Sequence, residues 1–360
     1  MRLLSISTDK KIFDRSSSVA KRMVDYGNLF DELHVVVFSK GYIERFKLSE
    51  NVWVYPTNSK NRWTYILDAY KISKTLKVDS VTSQDPFETG LVGFLMKRYN
   101  PKLFFHVQVH TNFFSPYFRK QSILNRLRIS ISKVILPKAD AIRVVSRSIK
   151  ESLLKSHISI QCYPLVLPVF VPSLEIAKNS EKRYFKKQFL VVSRIEPEKN
   201  IDLLSKSFSK IAKEFEDVGM VVVGDGSLRK EMEDYFIKEN VISKVRFVGW
   251  QDDVYPYYAS SDVFLLMSDY EGYNRSLIEA AYSKLAIIST SVSPACDDLK
   301  EAVVIVKKDE KDIVSAMRTL VKNEEFVEDI AEKAYVSAKR VEISKDKYMS
   351  LYKGQFLNEK

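Results

Sequence analysis

Short apolar runs alternate with amphipathic stretches along the whole of this 360-residue chain. Most of the runs are uninterrupted Val, Ile, Leu and Phe, which is typical of strands that are covered on both faces. Helical segments between such strands form βα units around parallel sheets. We therefore predict an α/β fold, with strands at RLLSIS from Arg2, LHVVVFS from Leu33, VWVYP from Val52, KLFFHVQVH from Lys102, AIRVVS from Ala141, QFLVVS from Gln188, VGMVVVG from Val218, KVRFVG from Lys244, DVFLLMS from Asp262, LAIIST from Leu285 and AVVIV from Ala302.

The length of the chain indicates two domains, because 360 residues and 41.7 kDa exceed the usual size of one hydrophobic core. Pro168 and Pro172 interrupt the strand–helix pattern, and a charged run without periodicity follows them, so we place the linker there. The predicted domains are doubly wound, Rossmann-like units at 1–170 and 185–342. A C-terminal helix at about 343–360 is expected to pack back on the first domain.

Composition limits the partners and the compartment. The 57 Lys and Arg against 46 Asp and Glu give a net charge of +11, which favours an anionic partner such as a nucleotide, a nucleic acid or an acidic lipid. Cys162 and Cys296 lack metal-ligand spacing, and we interpret both as packing residues of a reduced, cytoplasmic protein. The N-terminal apolar run is too short for a signal peptide, and no run approaches the roughly eighteen residues of a membrane span.

Two cations, Arg194 and Lys199, lie in VVSRIEPEKNID, where a strand ends and a helix is predicted to begin near Asn200. Free N–H groups at a helix N-terminus, the positive end of the helix dipole and two cations together suit a phosphate or diphosphate. The alternative is that both cations are solvated and pair with Glu196 and Glu198.

The segment VVVGDGSLRKEME runs from a predicted strand through Gly224 and Gly226 into a helix, like the start of a dinucleotide fingerprint. Arg229 occupies the place of the third glycine, so the fingerprint is incomplete. The turn is therefore either a tight strand-to-helix connection or one whose backbone at Gly224 lies near a nucleotide.

Two glutamates, Glu271 and Glu279, flank the predicted start of a helix in DYEGYNRSLIEAAYSK, directly after the strand DVFLLMS. Open α/β sheets bind ligands at the carboxyl edge of their strands, and the N–H groups of the 272–277 turn would point outward there. Carboxylates accept hydrogen bonds from hydroxyl groups, so the expected targets are sugar and ribose hydroxyls. The alternative is that both acids only complement the helix dipole.

Together, S-R-I-x-P-E-K-N, G-D-G-S-L-R, F-V-G-W and E-G-Y-N-R-S-L-I-E, in this order between Phe189 and Val306, resemble the donor half of glycosyltransferase family 4. That family consists of retaining enzymes with the GT-B fold, in which two Rossmann-like doubly wound domains face a central cleft. The resemblance implies a nucleotide diphosphate sugar as donor substrate and no further cofactor. It implies diphosphate contacts from Arg194, Lys199 and the Ser276 and Leu277 amides, a ribose contact from Glu279, sugar contacts from Glu271 and the backbone of Gly272, Tyr273 and Asn274, and base contacts near Val248, within Phe247–Trp250.

The N-terminal half matches less of the family pattern. HVQVHTNFF places His110 at a strand end, similar to the family's active-site histidine that approaches the sugar, and SQDPFETG resembles a recurring acceptor-side loop. A structural role is as consistent with a histidine at a strand end. The chain has TDKKIFDRSSS where the family commonly carries a Gly-Gly pair, so a backbone contact from that loop to the diphosphate is not carried over.

The stretch from Pro101 to Ala139 contains no acid. Two sets of side chains within it recur at helical spacing, the apolar Leu124, Leu127, Ile131 and Ile135 and, on another face, the basic Arg119, Arg126 and Lys133. One interpretation is a basic amphipathic helix over 119–138 that lies on an anionic membrane surface, which would make the protein peripheral on the inner face of the cell membrane. The other is a helix packed on its own sheet with solvated cations.

The predicted reaction is retaining transfer of a hexose from the donor to a glycan or lipid-linked acceptor, in cell-surface polysaccharide or glycolipid synthesis. Arg194 and Lys199 would stabilise the departing diphosphate, and no metal is required, since no Asp-x-Asp motif stands at a strand end. Retention could use Glu271 as nucleophile in a double displacement or a front-face attack. The alternatives are a sugar-nucleotide epimerase or a phosphorylase on the same fold. A nucleic-acid-binding protein is disfavoured, because the sequence contains no stacking or recognition-helix motif.

Overall fold

The chain divides into two compact units. The structure, a computed structural model, describes residues 1–172, 181–291 and 294–357. The N-terminal unit comprises Met1–Pro168 together with Ser344–Lys360, and the C-terminal unit comprises Val169–Ile343. Much of the linker expected after Pro172 lies outside the described residues.

One mostly parallel sheet forms the core of the N-terminal unit. Its described strands are β1 (Arg2–Ser7), β2 (Glu32–Val37), β3 (Phe46–Ser49), β4 (Val52–Pro56), β5 (Ser80–Ser83), β6 (Phe104–Val109), β7 (Ala141–Val144) and β8 (Leu165–Val166). They lie in the order β3-β4-β2-β1-β5-β6-β7-β8, with β3 antiparallel to β4. The chain winds outward from β1 on one side and from β5 on the other, so the sheet is doubly wound with its switch point between β1 and β5.

The helices of the N-terminal unit are α1 (Ser18–Gly27), α2 (Tyr65–Lys74), α3 (Glu88–Tyr99), α4 (Pro116–Gln121), α5 (Ile123–Ile135) and α6 (Arg147–Lys155). Several begin at a serine whose hydroxyl accepts a first-turn N–H, as Ser17 does for α1 and Ser146 for α6. At Gly93, α3 approaches the sheet so closely that a Cβ would collide with the ring of Phe105 on β6. This packing requires glycine on that face of α3.

The C-terminal unit contains a second parallel sheet. Its described strands are β9 (Lys187–Val192), β10 (Val218–Val223), β11 (Val245–Gly249), β12 (Val263–Leu266), β13 (Ala286–Thr290) and β14 (Val304–Val306). They lie in the order β11-β10-β9-β12-β13-β14, so the winding reverses between β9 and β12. The predicted α/β class with two doubly wound sheets is thus confirmed, and the switch point of the second sheet lies where the loops after β9 and β12 begin.

The helices of the C-terminal unit are α7 (Ile201–Glu214), α8 (Arg229–Lys238), α9 (Tyr255–Ala259), α10 (Arg275–Tyr282), α11 (Pro294–Leu299), α12 (Glu310–Lys322) and α13 (Glu324–Arg340). Its helix α7 buries Ile201, Leu204, Phe208 and Ile211, which recur every three to four residues, in the core of the unit. Within the described ranges, none of the helices is both long enough and apolar enough to cross a bilayer.

The last helix, α14 (Lys345–Gly354), belongs to the N-terminal unit. The Tyr352 ring stacks on Tyr26 of α1 with 4.5 Å between the centroids. Beyond the helix, Phe356 packs edge-on against Phe30 and His106. This helix therefore supplies part of the core of a unit from whose other residues it is separated in sequence by the whole of Val169–Ile343.

The basic stretch over 119–138 departs from the single helix that its spacing predicts. Ser122 is extended and caps α5, so α4 ends before α5 begins. Leu124 and Leu127, which the spacing groups with buried Ile135, are 46% and 54% exposed. Instead α5 buries Asn125, whose Nδ2 donates to Phe118 O at 3.0 Å. The interpretation of this apolar row as a face packed on the sheet is therefore wrong for both leucines.

Candidate active site

The predicted donor-site residues all lie in the C-terminal unit, at or directly after the carboxyl ends of β9, β10, β11 and β12 or in the helix that follows β12. Neighbouring parallel strands end at the same edge of a sheet, so these loops lie side by side. Arg194 and Lys199 follow β9, Gly224 follows β10, Val248 lies in β11, and Glu271 to Asn274 follow β12. Ser276, Leu277 and Glu279 lie in α10.

The central contact of this edge is an ion pair between two loops. Lys199 Nζ lies 2.5 Å from Glu271 Oε1, and the Ser268 hydroxyl donates to the same oxygen at 2.6 Å. The two charged side chains are only 12% and 10% exposed. For Lys199, the expectation of a pair with Glu196 or Glu198 is therefore wrong, because the lysine turns toward the loop after β12. A buried pair of this kind is costly to break on one side only.

Backbone bonds hold the same two loops together. Asp269 N donates to Glu198 O at 2.8 Å, which joins the loop after β12 to the loop after β9. Asn200 adopts a left-handed conformation with φ 53° at the start of α7. Lys308 Nζ donates to Asp269 O at 2.7 Å. The ion pair of Lys199 thus belongs to a region that main-chain contacts already hold in place.

Arg194 does pair locally, as the alternative interpretation allowed. Its guanidinium donates to Glu198 Oε1 at 2.6 Å, while its side chain remains 65% exposed. Glu196 instead accepts from the backbone N–H and the hydroxyl of Ser227. The Ser227 hydrogen bonds, side chain first, lower the pKa of Glu196 below its usual value. Arg194 therefore retains solvent-facing donors at this edge.

Close packing between loops accounts for the glycine turn after β10. Gly224 has φ 132°, and a Cβ there would collide with Ser193 O. A Cβ at Gly226 would likewise collide with Ile195 O. Glycine is needed in this turn because the backbone of the loop after β9 leaves no room for a side chain. This agrees with the interpretation of the segment as a tight strand-to-helix connection. Its proximity to a nucleotide stays a prediction.

The N-terminus of α10 is capped by its own asparagine. Asn274 Oδ1 accepts from Leu277 N at 3.0 Å and from the Ser276 hydroxyl at 2.6 Å. The Leu277 amide, expected to meet a diphosphate, is therefore engaged in the cap. Tyr273, expected to contact the sugar through its backbone, donates its hydroxyl to Asp298 Oδ2 at 3.1 Å. Gly272, between Glu271 and Tyr273, lies in the same loop.

Glu279 is buried in α10 and has its own partners. Its Oε2 lies 3.1 Å from the hydroxyl of Tyr258, and its Oε1 lies 3.4 Å from the guanidinium of Arg275. Burial, followed by the charge of Glu279, raises the pKa of Tyr258 well above its ordinary value. Tyr258 is therefore a neutral donor. Because Glu271 pairs with Lys199 and Glu279 with Tyr258, the alternative that both acids serve only the helix dipole does not describe their contacts.

Val248 is half-buried near the carboxyl end of β11, the outer strand of the sheet. Gln251 Nε2 donates to Val248 O at 2.9 Å, so the chain turns back on the strand end there. Trp250, one residue beyond β11, is exposed. An apolar strand end beside an exposed indole can contact the flat face of an aromatic base.

His110 lies in the N-terminal unit, directly after β6, and takes part in a buried polar network. Its Nε2 lies 3.1 Å from Gln108 Oε1, which also accepts from Arg143 Nη1 at 2.9 Å. Arginine only donates, so the oxygen of Gln108 faces both partners and the His110 Nε2 carries the proton. Burial, then the charge of Arg143, lowers the pKa of His110 to about 3. His110 is therefore neutral, and Nδ1 is its unprotonated nitrogen.

Sequence reasoning missed several side chains of these two regions, namely Gln108, Arg143, Tyr258, Ser268 and Lys308. A polar residue inside an apolar strand was the available signal for Gln108 and Arg143, which interrupt FFHVQV and AIRV. Arg143 is 2% exposed, and its guanidinium bonds to Leu167 O, Pro168 O and Tyr348 Oη. The other three carried no comparable signal, since their contacts join distant segments.

The chain matches two family models that together cover most of its length. The model described as Glycosyltransferase Family 4 matches residues 22–160, and the model described as Glycosyl transferases group 1 matches residues 173–337. This chain belongs to glycosyltransferase family 4. Other family 4-like proteins resemble it at low identity. One is an uncharacterized glycosyltransferase of Methanocaldococcus jannaschii, 26% identical over 70% of this chain and 66% of the relative.

A second relative is the Campylobacter jejuni N-acetylgalactosamine-N,N'-diacetylbacillosaminyl-diphospho-undecaprenol 4-alpha-N-acetylgalactosaminyltransferase. It is 25% identical over 62% of each chain. The matched segments thus span less than two thirds of either relative.

Among solved structures, Anabaena HepE in complex with UDP-glucose superposes with a TM-score of 0.77 at 14% identity over 100% of both chains. Sucrose-phosphate synthase of Thermosynechococcus elongatus gives 0.80 at 15% identity, over 99% of this chain and 100% of that one. The fold of this family 4 member is of the GT-B class.

Proposed function

We propose that this protein transfers a hexose from a nucleotide diphosphate sugar to a glycan or lipid-linked acceptor with retention of anomeric configuration. The observation that carries the proposal is the Lys199–Glu271 pair at the switch point of the C-terminal sheet, with Arg194 in the same loop as the lysine. Carboxyl edges at switch points are where open α/β sheets bind nucleotides. A cation and a carboxylate there match the two halves of a sugar diphosphate.

Donor binding would exchange the partners of this pair. A diphosphate oxygen at Lys199 Nζ replaces Glu271 Oε1, and the released carboxylate accepts hydroxyl protons of the transferred sugar. The exchange leaves neither buried charge unpaired, which avoids the large cost of breaking a buried pair on one side. The exposed donors of Arg194 add a second cation to the diphosphate.

The surroundings of Glu279 support a ribose at α10. Tyr258 holds one carboxylate oxygen, while the longer contact of the other oxygen to Arg275 leaves it room to accept a hydroxyl. The Nε of Arg275 is buried and has no hydrogen-bond partner among the described residues. A buried donor without an acceptor costs free energy, so a ligand oxygen at this position would be stabilising.

Bond cleavage at C1 builds positive charge on the sugar ring and negative charge on the departing diphosphate. Fixed cations stabilise the departing side without reorganising during the reaction. Lys199 and Arg194 supply this charge in the proposed mechanism, so it does not call for a metal. A neutral His110 would meet the sugar without adding a positive charge that repels the ring.

Retention follows in this proposal from a front-face attack, in which the leaving phosphate accepts the proton of the acceptor hydroxyl. Glu271 shares one oxygen with both Lys199 Nζ and Ser268 Oγ, and such hydrogen bonds lower the nucleophilicity of a carboxylate. This supports a role for Glu271 in binding the sugar rather than in forming a covalent intermediate.

We also infer contact with an anionic membrane surface through α4 and α5. Ile123 is 82% exposed, and Leu124 and Leu127 are exposed beside it. Cations at Arg126 and Lys133 lie on the same helix. Exposed apolar side chains flanked by basic ones are typical of helices that lie in the headgroup region of a bilayer.

The experiment that tests the transferase proposal is a thermal-shift panel of UDP-, GDP- and ADP-sugars, followed by product analysis. A bound donor raises the melting temperature by mass action, by an amount that corresponds to about 2.7 kcal/mol at a hundredfold excess over Kd. The Lys199→Ala variant should lose the shift. No shift with any member of the panel would contradict the proposal, as would free phosphorylated sugar or an epimerised donor as the only product.

A further inference from the structure

A cavity of about 640 Å³ lies within the N-terminal unit, between α4 and α5 on one side and α6 on the other. Its lining residues all belong to the N-terminal unit, whereas the candidate nucleotide-sugar residues belong to the C-terminal unit. Basic and hydroxyl side chains dominate its lining, which includes Arg119, Arg126, Lys133, Lys155 and Ser152.

The lining carries an unbalanced positive charge. Arg119, Arg126 and Lys133 form no salt bridge within the described part of the chain. Lys155 has a loose contact to Glu151, with 4.0 Å between the charged atoms, and Glu151 is the only acid in the described lining. Four cations against one acid around a common space are suited to a phosphate or a diphosphate, whose oxygens accept several charge-assisted hydrogen bonds.

One cation of α5, Arg128, does form a salt bridge. Arg128 turns to the other side of the helix and pairs with Glu88 at 2.8 Å. Arg126 and Lys133, seven residues apart on α5, lie on one face of that helix, and Arg119 on α4 lines the same cavity. Arg126 and Lys133 thus differ from Arg128, because they line the cavity whereas Arg128 faces an acid.

Two residues that line the cavity follow the carboxyl ends of strands, as His110 does after β6. Phe114, four residues after His110, and Ser148, in the first turn of α6, both line it. The Ser152 hydroxyl donates to Asn112 Oδ1 at 2.9 Å, which joins α6 to the loop after β6. From Ser148 to Ser156 the cavity follows the chain for about 12 Å of helical rise. The cavity thus reaches from its basic residues to Phe114, in the loop that follows His110.

Helix α5, which supplies Arg126 and Lys133 to the cavity, also carries exposed apolar side chains. Ile123, Leu124 and Leu127 are exposed on α5, next in sequence to the cation Arg126. A ligand with a charged phosphate and a hydrocarbon segment would satisfy both features at once.

We propose that this cavity binds the phosphate or diphosphate group of an amphiphilic, phosphorylated acceptor. The inference rests on the proposed function, because it names the acceptor class of that reaction. The phosphate group that the cavity binds is part of the acceptor molecule. It is not a headgroup of the surrounding bilayer.

The first test measures binding of inorganic pyrophosphate by calorimetry. Arg126→Ala/Lys133→Ala should raise the Kd about tenfold or more. The matched control Lys120→Ala/Lys138→Ala removes two exposed cations of the same segment that do not line the cavity, and it should leave the Kd unchanged. Both variants should keep the thermal shift caused by a nucleotide sugar, which shows that they fold. Equal Kd values in the two variants would overturn the proposal.

The second test separates the acceptor from the bilayer. Transfer is measured to a short-chain polyprenyl diphosphate-linked hexosamine and to the same sugar without phosphate. Arg126→Ala/Lys133→Ala should raise KM only for the diphosphate acceptor, with kcat unchanged. An equal loss with both acceptors, or a loss confined to flotation with phosphatidylglycerol vesicles, would refute a phosphate site. If neither acceptor reacts, the transferase proposal fails while the pyrophosphate titration still decides this one.

Discussion

Lys199 Nζ and Glu271 Oε1 lie 2.5 Å apart although 72 positions separate the two residues in sequence. The contact joins the loop after β9 to the loop after β12, on either side of the point where the winding of the C-terminal sheet reverses. Both charged side chains are nearly buried, so each neutralises the other. A bound ligand would replace one of the two as the partner of the other. This relationship makes the effects of single substitutions at the site predictable in sign.

Removing either diphosphate cation should slow transfer. Lys199→Ala and Arg194→Ala are each expected to lower kcat/KM about 100-fold, as is typical when one fixed donor to a developing negative charge is lost. Initial rates with the donor found in the thermal-shift panel measure the effect. Lys206→Ala, which breaks an exposed pair with Asp202 on α7, is the control and should stay within about twofold of the parent. Near-parental turnover in both test variants would contradict the diphosphate assignment.

Tyr258→Phe should weaken nucleotide binding more than it slows turnover. The change removes the hydroxyl that lies 3.1 Å from Glu279 Oε2 and leaves a buried carboxylate oxygen without its donor, a loss of about 1–3 kcal/mol. We expect KM for the donor to rise about tenfold with little change in kcat. Tyr255→Phe is a suitable comparison, because the Tyr255 ring packs beside Tyr258 and no hydrogen bond of its hydroxyl is described. An unchanged KM in Tyr258→Phe would show that Glu279 does not hold the nucleotide.

The pH dependence of stability should reflect a buried neutral histidine. Burial, followed by the charge of Arg143, lowers the pKa of His106 to about 3 from 6.5. The unfolded chain therefore binds a proton below pH 6.5 that the folded chain does not. From there to about pH 3, His106 alone lowers the free energy of unfolding by about 1.4 kcal/mol per pH unit, and His110, whose pKa is also about 3, contributes in the same sense. Asp85, whose pKa burial raises to about 6, acts in the opposite sense between pH 6 and 4.

Comparison with His106→Gln isolates this histidine, because Asp85 and His110 are present in both proteins. Between pH 7 and pH 5 the parent should lose about 2 kcal/mol more unfolding free energy than the variant. Urea denaturation in a Trp250→Phe background reports on the N-terminal unit, since the remaining tryptophans, Trp53 and Trp63, both lie there. Equal losses in the two proteins would show that His106 titrates normally.

Gln108→Glu should move the acid limb of the pH–rate profile. A carboxylate in place of the amide next to His110 Nε2 favours the charged imidazolium, so it raises the histidine pKa from about 3. The limb of kcat/KM should then shift upward by about one pH unit or more. Gln84→Glu is the matched control, because Gln84 accepts from the Ser7 hydroxyl and has no contact to His110. A purely structural role of Gln108 would lower activity at all pH values equally.

Loss of the exposed apolar row should release the protein from vesicles. Ile123→Ser/Leu127→Ser is expected to reduce the fraction that floats with phosphatidylglycerol vesicles about tenfold, because each side chain buries apolar area in the bilayer. Leu351→Ser, on the exposed side of α14, removes a 42% exposed leucine outside the basic stretch and is the control. Equal flotation of both variants would exclude α5 from the membrane contact.

The sequence predicted the fold class because long apolar runs mark strands that are buried on both faces. The strands it missed lack such runs. β5 is SVTS, whose four residues are buried although three of them are hydroxyl side chains, and β3 is FKLS at the outer side of the sheet. β8 comprises only Leu165 and Val166, too short for any pattern to register.

The candidate site was predictable as a set of loops but not as a set of contacts. The motifs indicated that Lys199 and Glu271 belong to one edge, yet nothing in the sequence specifies that their side chains meet. Periodicity also misjudged α5, since spacing identifies faces of a helix but not which face is buried. There Asn125 goes inward because it bonds to Phe118 O, and Leu127 stays outside.

The position of α14 has a consequence for synthesis of the protein. Tyr352 and Phe356 complete an aromatic cluster with Tyr26 and Phe30, yet the ribosome makes them only after the whole C-terminal unit. At about 5–20 residues per second, a nascent chain of residues 1–168 waits roughly 10–35 seconds with that cluster open. Residues 1–168 thus leave the ribosome well before the segment that completes their aromatic cluster, and we expect chaperones to shield them during that interval.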